Sequence, residues 1–303
     1  MKLFYTDIFV LPLPAGHRFP MEKYARLRQR LYTSGAFVDG DFQAPAAATS
    51  EQLCRAHDAA YVARVSAGEL SAAEVRRIGF PWSLEMVERS RRSAGATIAA
   101  CRTALSEGCA VNLAGGTHHA HAAHGEGFCV FNDAAIAARV VQAEGLLQRV
   151  AVIDLDVHQG NGTASICASD ASIFTFSMHG ARNFPFRKAS SDLDIELPDD
   201  TGDAAYLQQL AAALERVFAL GRPELVIYLA GADPFHDDRL WRLALSFAGL
   251  AARDEMVIAA CRQRAVPVAI AMAGGYARDI DDTVSIHSRT VLTARHIFNP
   301  LLG

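Results

Sequence analysis

The chain has 303 residues, 51% of them hydrophobic and 20% charged, and its formal net charge is -4. This composition is typical of a globular protein with a sizeable core, and the lack of a basic stripe argues against a nucleic-acid partner. No signal-peptide pattern begins the chain, and no run of about 18 apolar residues predicts a membrane span. Six scattered cysteines without a CxxC pair predict reduced thiols, which favours a cytoplasmic location.

Proline and alanine are frequent in the first 80 residues, which predict no clear element. Beyond them, apolar runs alternate with helical patterns, which is typical of a parallel sheet covered by helices. No repeat or linker divides the chain, so we predict one α/β domain over residues 1–303, a parallel β-sheet with helices on both faces. The predicted strands are 109–116, 150–157, 172–179, 224–232 and 266–275, and the predicted helices lie near 84–106, 133–144, 204–219, 241–263 and 279–297.

Asp154, Asp156 and His158 stand at the end of the second predicted strand, in the motif DLDVHQGNGT. Residues two apart on a strand point the same way, so these three side chains share one face. Such a group loses hydration and contains two repelling carboxylates, so it needs a cation nearby. The structural alternative is that Asp154 caps a following helix and His158 is a hydrogen-bonded loop histidine.

Polar side chains also follow three other predicted strands. His118 and His119 follow the first, Asp233 follows the fourth, and Tyr276 follows the fifth. In open α/β sheets the ligand site lies beyond the carboxyl ends of the strands. Four strands that deliver titratable groups to one edge therefore predict a metal site there.

Six short motifs occur in the order of one known family, over about the last two thirds of the chain. They are GGTHHA (115–120), GFCVFND (127–133), DLDVHQGNGT (154–163), FSMH (176–179), GADP (231–234) and AGGY (273–276). On these motifs the chain resembles the histone deacetylase superfamily of the arginase-like fold. The stretches GHRFPMEKY and RRIGFPWS resemble its class IV branch, which includes many bacterial proteins.

The resemblance implies two bound ions. Asp156, His158 and Asp233 would hold one catalytic Zn2+, for which Fe2+ or Co2+ could substitute, and leave a position open for water and substrate. That ion would polarise the amide carbonyl and acidify the attacking water. The resemblance also implies a structural K+ site. Its expected residues are Asp154, Asp156, His158 and Met178 through their main chain, together with Ser177.

The catalytic roles follow from the partner of each group. His118 beside anionic Asp154 should hold a proton firmly, whereas His119 faces the neutral amide of Asn161. His119 is therefore the expected general base, and either histidine returns a proton to the leaving amine. Tyr276 is expected to donate its hydroxyl to the tetrahedral oxyanion.

Phe128 and Phe184, with Gly127, are expected to form a narrow channel for the methylenes of a lysine, although core packing is the alternative for each ring. Thr117 is expected to line the pocket beyond the metal. Thr117 and the two glycines before it have little side-chain volume, so this space is expected to be deeper than an acetyl group needs. We therefore predict that medium or long fatty-acyl groups are removed better than acetyl.

The predicted substrate is an acylated lysine in a protein or peptide, or an acylated small amine. An acetylpolyamine deacetylase shares the catalytic residues and is the alternative enzyme, and we find no rim aspartate that would grip a peptide backbone. Arginase-type ureohydrolases use two manganese ions and need a carboxylate where this chain has QGN after His158. A regulatory metal-binding protein is disfavoured, because His118, His119 and Tyr276 are all present. The sequence does not predict an oligomeric state.

Overall fold

The structure is a computed structural model that describes residues 1–240 and 242–299, and within these residues eight strands form one sheet. Every neighbouring pair of strands is parallel. The central strands are runs of apolar residues, many of them β-branched, which suit a sheet covered on both faces. The strands are β1 (Leu3–Phe4), β2 (Phe42–Gln43), β3 (Cys109–Asn112), β4 (Val150–Asp154), β5 (Ile173–Gly180), β6 (Leu193–Leu197), β7 (Leu225–Leu229) and β8 (Val268–Ala271).

Ten α-helices occur in the same part of the chain, and several begin at a side-chain cap. Ser83, Asn132 and Ser246 each accept a hydrogen bond from the backbone N–H three residues later, which stabilises a helix start. A π-helical turn, Val217–Gly221, follows the eighth helix. The helices are α1 (Lys23–Thr33), α2 (Ser50–Leu53), α3 (Ala59–Ala67), α4 (Ala72–Ile78), α5 (Leu84–Glu107), α6 (Asp133–Ala143), α7 (Asn161–Cys167), α8 (Asp203–Arg216), α9 (Phe247–Gln263) and α10 (Ile280–Phe298).

Both faces of the sheet are buried by helices. In β4, Ala151 and Ile153 belong to an apolar cluster shared with α1, α8, α9 and α10, while Val150 and Val152 belong to a second cluster shared with α5 and α6. This alternation is the pleat of a strand. Each fully buried valine or isoleucine contributes about 1.5–3 kcal/mol relative to exposure. The predicted fold class is therefore confirmed.

The strand order is β2-β1-β3-β8-β7-β4-β5-β6. Four of the predicted strands, β3, β8, β7 and β4, are consecutive neighbours in the middle of this order. All strands are parallel, so their carboxyl ends meet at one edge of the sheet. The four loops that carry the predicted polar residues consequently start side by side.

The predicted strands differ from the observed ones mainly at their carboxyl ends. The predicted strand 109–116 ends at Asn112, because Gly115 and Gly116 adopt φ values of 79° and 72° and leave the sheet. The short strands β1 and β2 and the edge strand β6 were not predicted.

The predicted helix 241–263 begins only at Phe247, after the cap at Ser246, and its predicted first residue lies outside the described residues. Helices α1 to α4 and α7 were not predicted. No helix in the described ranges has the length and apolar character needed to cross a membrane.

Candidate metal centre and active site

Asp156, His158 and Asp233 form a buried cluster beyond the ends of β4 and β7. Nδ1 of His158 lies 3.0 Å from Oδ1 of Asp156 and 3.3 Å from Oδ2 of Asp233. One potential ligand atom from each residue lies within 4.8 Å of the other two. Two buried carboxylates this close repel each other unless positive charge lies between them. The structure thus brings together the three side chains predicted as metal ligands.

The surroundings of this cluster fit a bound cation. Oδ2 of Asp233 is buried and has no hydrogen-bond partner among the described residues. Burial lowers the pKa of His158, but Asp156 and Asp233 outweigh burial and raise that pKa to about 10, so positive charge is favoured here. A Cβ at Gly274 would overlap both carboxylates, so this position must be glycine. Two carboxylates and one imidazole suit Zn2+, Fe2+ or Co2+.

Main-chain N–H groups hold both carboxylates in place. Asp156 accepts hydrogen bonds from the N–H groups of His158 at 2.9 Å and Gly274 at 2.8 Å. Asp233 accepts one from the N–H of Val157 at 2.9 Å. Because Gly274 follows β8, the loops after three neighbouring strands are tied into one cluster.

His118 is buried beside Asp154. Its Nδ1 lies 2.6 Å from Oδ2 of Asp154, so an N–H there donates to the carboxylate. Burial lowers the pKa of His118, but the charges of Asp154 and Asp156 outweigh burial and raise it to about 9. The alternative that Asp154 caps a helix is wrong, because α7 begins after Gly160 at its N-cap.

His119 has a neutral partner. Its Nδ1 lies 2.7 Å from Oδ1 of Asn161. An amide oxygen can only accept, so Nδ1 carries the proton and Nε2 remains free. Burial, followed by the charge of His118, lowers the pKa of His119 well below its usual value. This histidine is therefore neutral with one free nitrogen, as a general base must be.

Asn161 is itself held by two residues that the sequence did not assign. Its amide nitrogen lies 3.2 Å from Nε2 of His121 and 3.3 Å from Oε2 of Glu126, which directs its oxygen toward His119. His121, His124 and Glu126 also place potential ligand atoms within 4.8 Å of one another. The imidazole planes of His121 and His124 are nearly parallel, at 16°. Their in-plane lone pairs do not converge, so this geometry does not favour a second metal.

Tyr276 follows β8 and lines the same pocket as the histidine pair. Burial raises the pKa of its hydroxyl well above the usual value, so the group stays protonated and can donate. Its backbone N–H donates to Oδ2 of Asp238 at 2.5 Å. Nζ of Lys23 donates to the carbonyl oxygens of Ala273 and Gly275, each at 3.3 Å. Sequence reasoning missed Lys23 and Asp238, because their partners are main-chain atoms that leave no residue-type pattern.

A pocket of about 440 Å³ opens onto the cluster. The ring of Phe184 packs edge-on against the ring of His119, with 4.9 Å between centroids. Phe128 has a φ of 66°, a strained value for a residue other than glycine. A Cβ at the preceding Gly127 would lie 2.8 Å from a ring carbon of His119. The pocket walls include all four predicted channel residues, Thr117, Gly127, Phe128 and Phe184.

Thr117 lines both this pocket and a smaller cavity of about 40 Å³. Asp133 holds its loop by accepting hydrogen bonds from the N–H of Gly116 at 3.0 Å and the N–H of Thr117 at 2.7 Å. A Cβ at Gly116 would overlap Ala273, so the loops after β3 and β8 touch through their main chains. The small cavity has room for a water molecule.

Ser177 and Met178 lie on β5, next to the end of β4, and both are buried. In the sheet register, Ser177 is opposite Asp154. The residues predicted for a monovalent cation are thus neighbours at the ends of two adjacent strands. The K+ site itself stays a prediction.

Arg253 on α9 is fully buried and was not predicted as part of the site. Its Nη1 donates to the carbonyl oxygens of Gly231 at 2.6 Å and Leu155 at 3.2 Å. These carbonyls belong to the two loops that carry the carboxylates of the metal cluster. Asp254 balances the charge, with 2.8 Å between the two side chains. One guanidinium therefore fixes the spacing of both loops.

A parallel sheet that carries this buried cluster and histidine pair at its strand ends defines an amidohydrolase of the arginase/deacetylase fold. The chain matches the histone deacetylase domain over residues 17–291, and it therefore belongs to the histone deacetylase family.

The chain is also similar to individual proteins over most of its length. The chain is 43% identical to an uncharacterized protein of Picosynechococcus sp., over 97% of this chain and 98% of that protein. It is 31% identical to histone deacetylase 2 of Arabidopsis thaliana, over 93% of this chain and 76% of that protein. Its fold is similar to the crystal structure of an HDAC homolog from Aquifex aeolicus, with a TM-score of 0.82 and 22% identity over 97% of this chain and 83% of that one.

Proposed function

We propose that this amidohydrolase is a zinc-dependent enzyme that removes acyl groups from lysine side-chain amides. The observation that carries the proposal is that His118, His119 and Tyr276 line the same pocket of about 440 Å³ as the Asp-His-Asp cluster. A base, a proton donor, an oxyanion partner and a cation site are the groups that amide hydrolysis needs. A regulatory metal-binding protein would need only the last of them.

Asp156, His158 and Asp233 would hold the divalent ion, and its charge would supply polarisation of the substrate carbonyl and a lower pKa for the attacking water. His119 accepts the proton of that water at Nε2, because its Nδ1 proton is donated to Asn161. The proton reaches the leaving amine from His119 or from His118, whose own proton is stabilised by Asp154.

Tyr276 donates its hydroxyl to the oxygen that becomes negative when the carbonyl is attacked. Asp238 and Lys23 position that residue by hydrogen bonds to the main chain of its loop. Phe128 and Phe184 cover the methylenes of the substrate lysine with apolar surface and exclude water from the reacting amide.

We further propose that medium or long fatty-acyl groups are preferred to acetyl. Gly115, Gly116 and Thr117 have little side-chain volume, and a cavity of about 40 Å³ shares Gly115 and Thr117 with the active-site pocket. Its other walls include the apolar side chains of Leu11 and Phe80. Each methylene buried there contributes about 0.8 kcal/mol. Chains longer than the cavity require its side chains to move, and resemblance to the class IV branch supports such a range.

The remaining parts of the proposal are a class IV assignment, one catalytic domain over residues 1–303, a structural K+ and a cytoplasmic location. The last is supported by the cysteines, which are all free thiols and, apart from Cys54, buried.

Rates with acetyl-, octanoyl- and myristoyl-lysine versions of one peptide test the function and the acyl preference together. We expect the zinc-loaded protein to hydrolyse all three, with kcat/KM rising from acetyl to the longer chains. His119→Ala with full zinc content is the control and should be inactive on each peptide. A steady fall in kcat/KM with chain length would show a plain deacetylase, and no hydrolysis by fully loaded protein would overturn the proposed function.

A further inference from the structure

Three arginines line the active-site pocket. They are Arg18, Arg77 and Arg239, and all three are exposed. Each side chain lies on the solvent side of a pocket whose bottom is the buried Asp-His-Asp cluster. The charge at the mouth is therefore set by guanidinium groups.

These guanidinium groups have no carboxylate partner in the part of the chain that the structure describes. None of their nitrogen atoms lies within 4.0 Å of a carboxylate oxygen there. Within the described residues, Nη2 of Arg239 donates a hydrogen bond to a neutral partner, the carbonyl oxygen of Arg278, at 3.2 Å. Other exposed arginines of the chain do pair, as Arg26 does with Glu22 at 2.9 Å. The three positive charges at the mouth thus remain available to a ligand.

The main chains of Arg77 and Arg239 are hydrogen-bonded to the pocket wall, and Arg18 is next to a residue that packs on it. The carbonyl oxygen of Arg77 accepts from the N–H of Gly127 at 3.1 Å, and the N–H of Arg239 donates to the carbonyl oxygen of Tyr276 at 3.2 Å. Arg18 precedes Phe19, whose ring packs against Phe128 with 5.3 Å between centroids. The backbones of Arg77 and Arg239 are consequently held against the channel, and Arg18 is held there through its neighbour Phe19.

Negative charge at the same pocket is limited and already engaged. Glu126 accepts a hydrogen bond from the amide of Asn161 at 3.3 Å. Asp156 and Asp233, the other acidic residues of the pocket, form the cation cluster at its bottom. Outside that cluster, the pocket lining therefore has three arginines against one carboxylate, Glu126.

Arg18 and Arg239 also line a second groove of about 990 Å³, so they form the boundary between it and the pocket. Three carboxylates line this groove: Asp7 lies 2.8 Å from Arg28, Glu22 lies 2.9 Å from Arg26, and Asp279 accepts a hydrogen bond from the N–H of Asp281 at 2.9 Å at the start of α10. The groove is a place for the part of a substrate that flanks the reacting side chain. The flanking part of the substrate would then contact Arg18 and Arg239 at the boundary.

We propose that the enzyme selects acylated lysines with a carboxylate next to the reacting side chain. The inference rests on the proposed deacylase function and specifies its substrate class. Exposed ion pairs are weak, so two of them give about a twofold to thirtyfold preference in kcat/KM. The carboxylate comes from acidic neighbours in a peptide or from the lysine's own α-carboxylate. Acetylated polyamines carry further ammonium groups, which the arginines repel, so they are poor substrates.

The test compares acyl-lysine substrates that differ only in charge. Three peptides carry the acyl-lysine between two aspartates, two asparagines or two lysines, and free Nε-acyl-lysine is compared with its α-amide. We expect kcat/KM in the order acidic, neutral, basic at low salt, with the differences shrinking at 0.5 M salt as screening increases. A preference for the acidic peptide identifies peptide carboxylates as the source, and a preference for free lysine over its amide identifies the α-carboxylate.

Arginine variants locate the effect. Arg18→Gln, Arg77→Gln and Arg239→Gln should each reduce the ratio of acidic to neutral kcat/KM by about twofold to fivefold, with the neutral peptide as an internal reference for folding and zinc content. Arg76→Gln is the matched control, because Arg76 is exposed on the same helix as Arg77 but does not line the pocket. It should leave the ratio unchanged.

The possible results distinguish a failure of the charge preference from a failure of the proposed deacylase function. Equal rates for the acidic, neutral and basic peptides, or faster hydrolysis of the basic peptide or of an acetylpolyamine, would overturn the charge preference while leaving a working deacylase. No hydrolysis of any substrate by fully zinc-loaded protein would instead overturn the proposed function. A ratio that falls equally in Arg76→Gln and Arg77→Gln would also contradict a local role of the pocket arginines.

Discussion

Arg253 and Gly231 are joined by a hydrogen bond of 2.6 Å between a buried guanidinium and a main-chain carbonyl. The same nitrogen reaches Leu155 in the neighbouring loop. Arg253→Met should therefore lower the free energy of unfolding by about 3–5 kcal/mol, because it leaves Asp254 as a buried charge without its cation. It should also weaken zinc binding, which depends on the spacing of both loops.

Urea unfolding and zinc titration of this variant measure the two effects. Arg264→Met is the control, since Arg264 pairs with Glu215 at the surface and its loss should cost less than about 1 kcal/mol. Full stability of Arg253→Met would contradict the role assigned to the buried network.

Removal of one cluster carboxylate should abolish stoichiometric zinc binding. Asp233→Asn keeps the shape of the side chain but removes its negative charge, which lies 3.3 Å from Nδ1 of His158. The remaining two side chains are an incomplete ligand set. Metal analysis of dialysed protein checks this, with Asp237→Asn as a nearby control that should keep its zinc. One bound zinc per chain in Asp233→Asn would remove that residue from the ligand set.

Tyr276→Phe should reduce kcat by about 10² to 10³, the effect of losing one oxyanion donor. Zinc content and stability should be unchanged, because the hydrogen bond of Tyr276 to Asp238 comes from the backbone. Steady-state kinetics on an acetyl-lysine peptide provide the measurement. Near-normal turnover would mean that another group stabilises the oxyanion.

Asn161→Asp should shift the pH dependence of catalysis. A carboxylate at this position raises the pKa of His119, which burial and His118 hold well below its usual value. The base is active when unprotonated, so the acid limb of kcat/KM should move to higher pH, by about one unit or more. A profile measured from pH 5 to 9 decides the matter. An unmoved acid limb would show that His119 is not the group titrating there.

His57 should make the fold sensitive to acid. Burial lowers its pKa to about 4, although hydrogen bonds to His121 and Ala122 act in the opposite direction. A folded pKa below the unfolded value of about 6.5 means that the unfolded chain binds the proton first, so stability is lost as pH falls from 6.5 toward 4. The slope from this one group approaches about 1.4 kcal/mol per pH unit. His57→Gln should be less pH-sensitive in this range, and His236→Gln, at an exposed position, should match the parent. Parallel stability curves for parent and His57→Gln would contradict the assignment.

The sequence was most informative where burial is complete. In β4 and β7 every residue is buried, so an uninterrupted apolar run identified each strand. β1 and β2 contain two residues each, too few for any periodicity. The edge strand β6 is only partly buried, and charged residues interrupt it.

The sequence likewise identified some residues of the candidate site and missed others. Its ligand and catalytic side chains lie in motifs whose residue types reveal their chemistry. Arg253, Asp238 and Lys23 act on carbonyl and N–H groups that every residue has. No residue pairing in the sequence could identify them, and the fold was needed to show which loops they reach.

The contact between Gly116 and Ala273 has a consequence for anyone who wishes to redesign the acyl range. The histidine pair follows Gly116 and the tyrosine follows Ala273, so this main-chain contact sets the distance between their loops. Mutations that widen the cavity should succeed at Leu11 or Phe80, which line it and take no part in this contact. A larger residue at Gly116 would increase the distance between the base, His119, and the oxyanion donor, Tyr276. Activity would then fall by the same factor for every acyl chain.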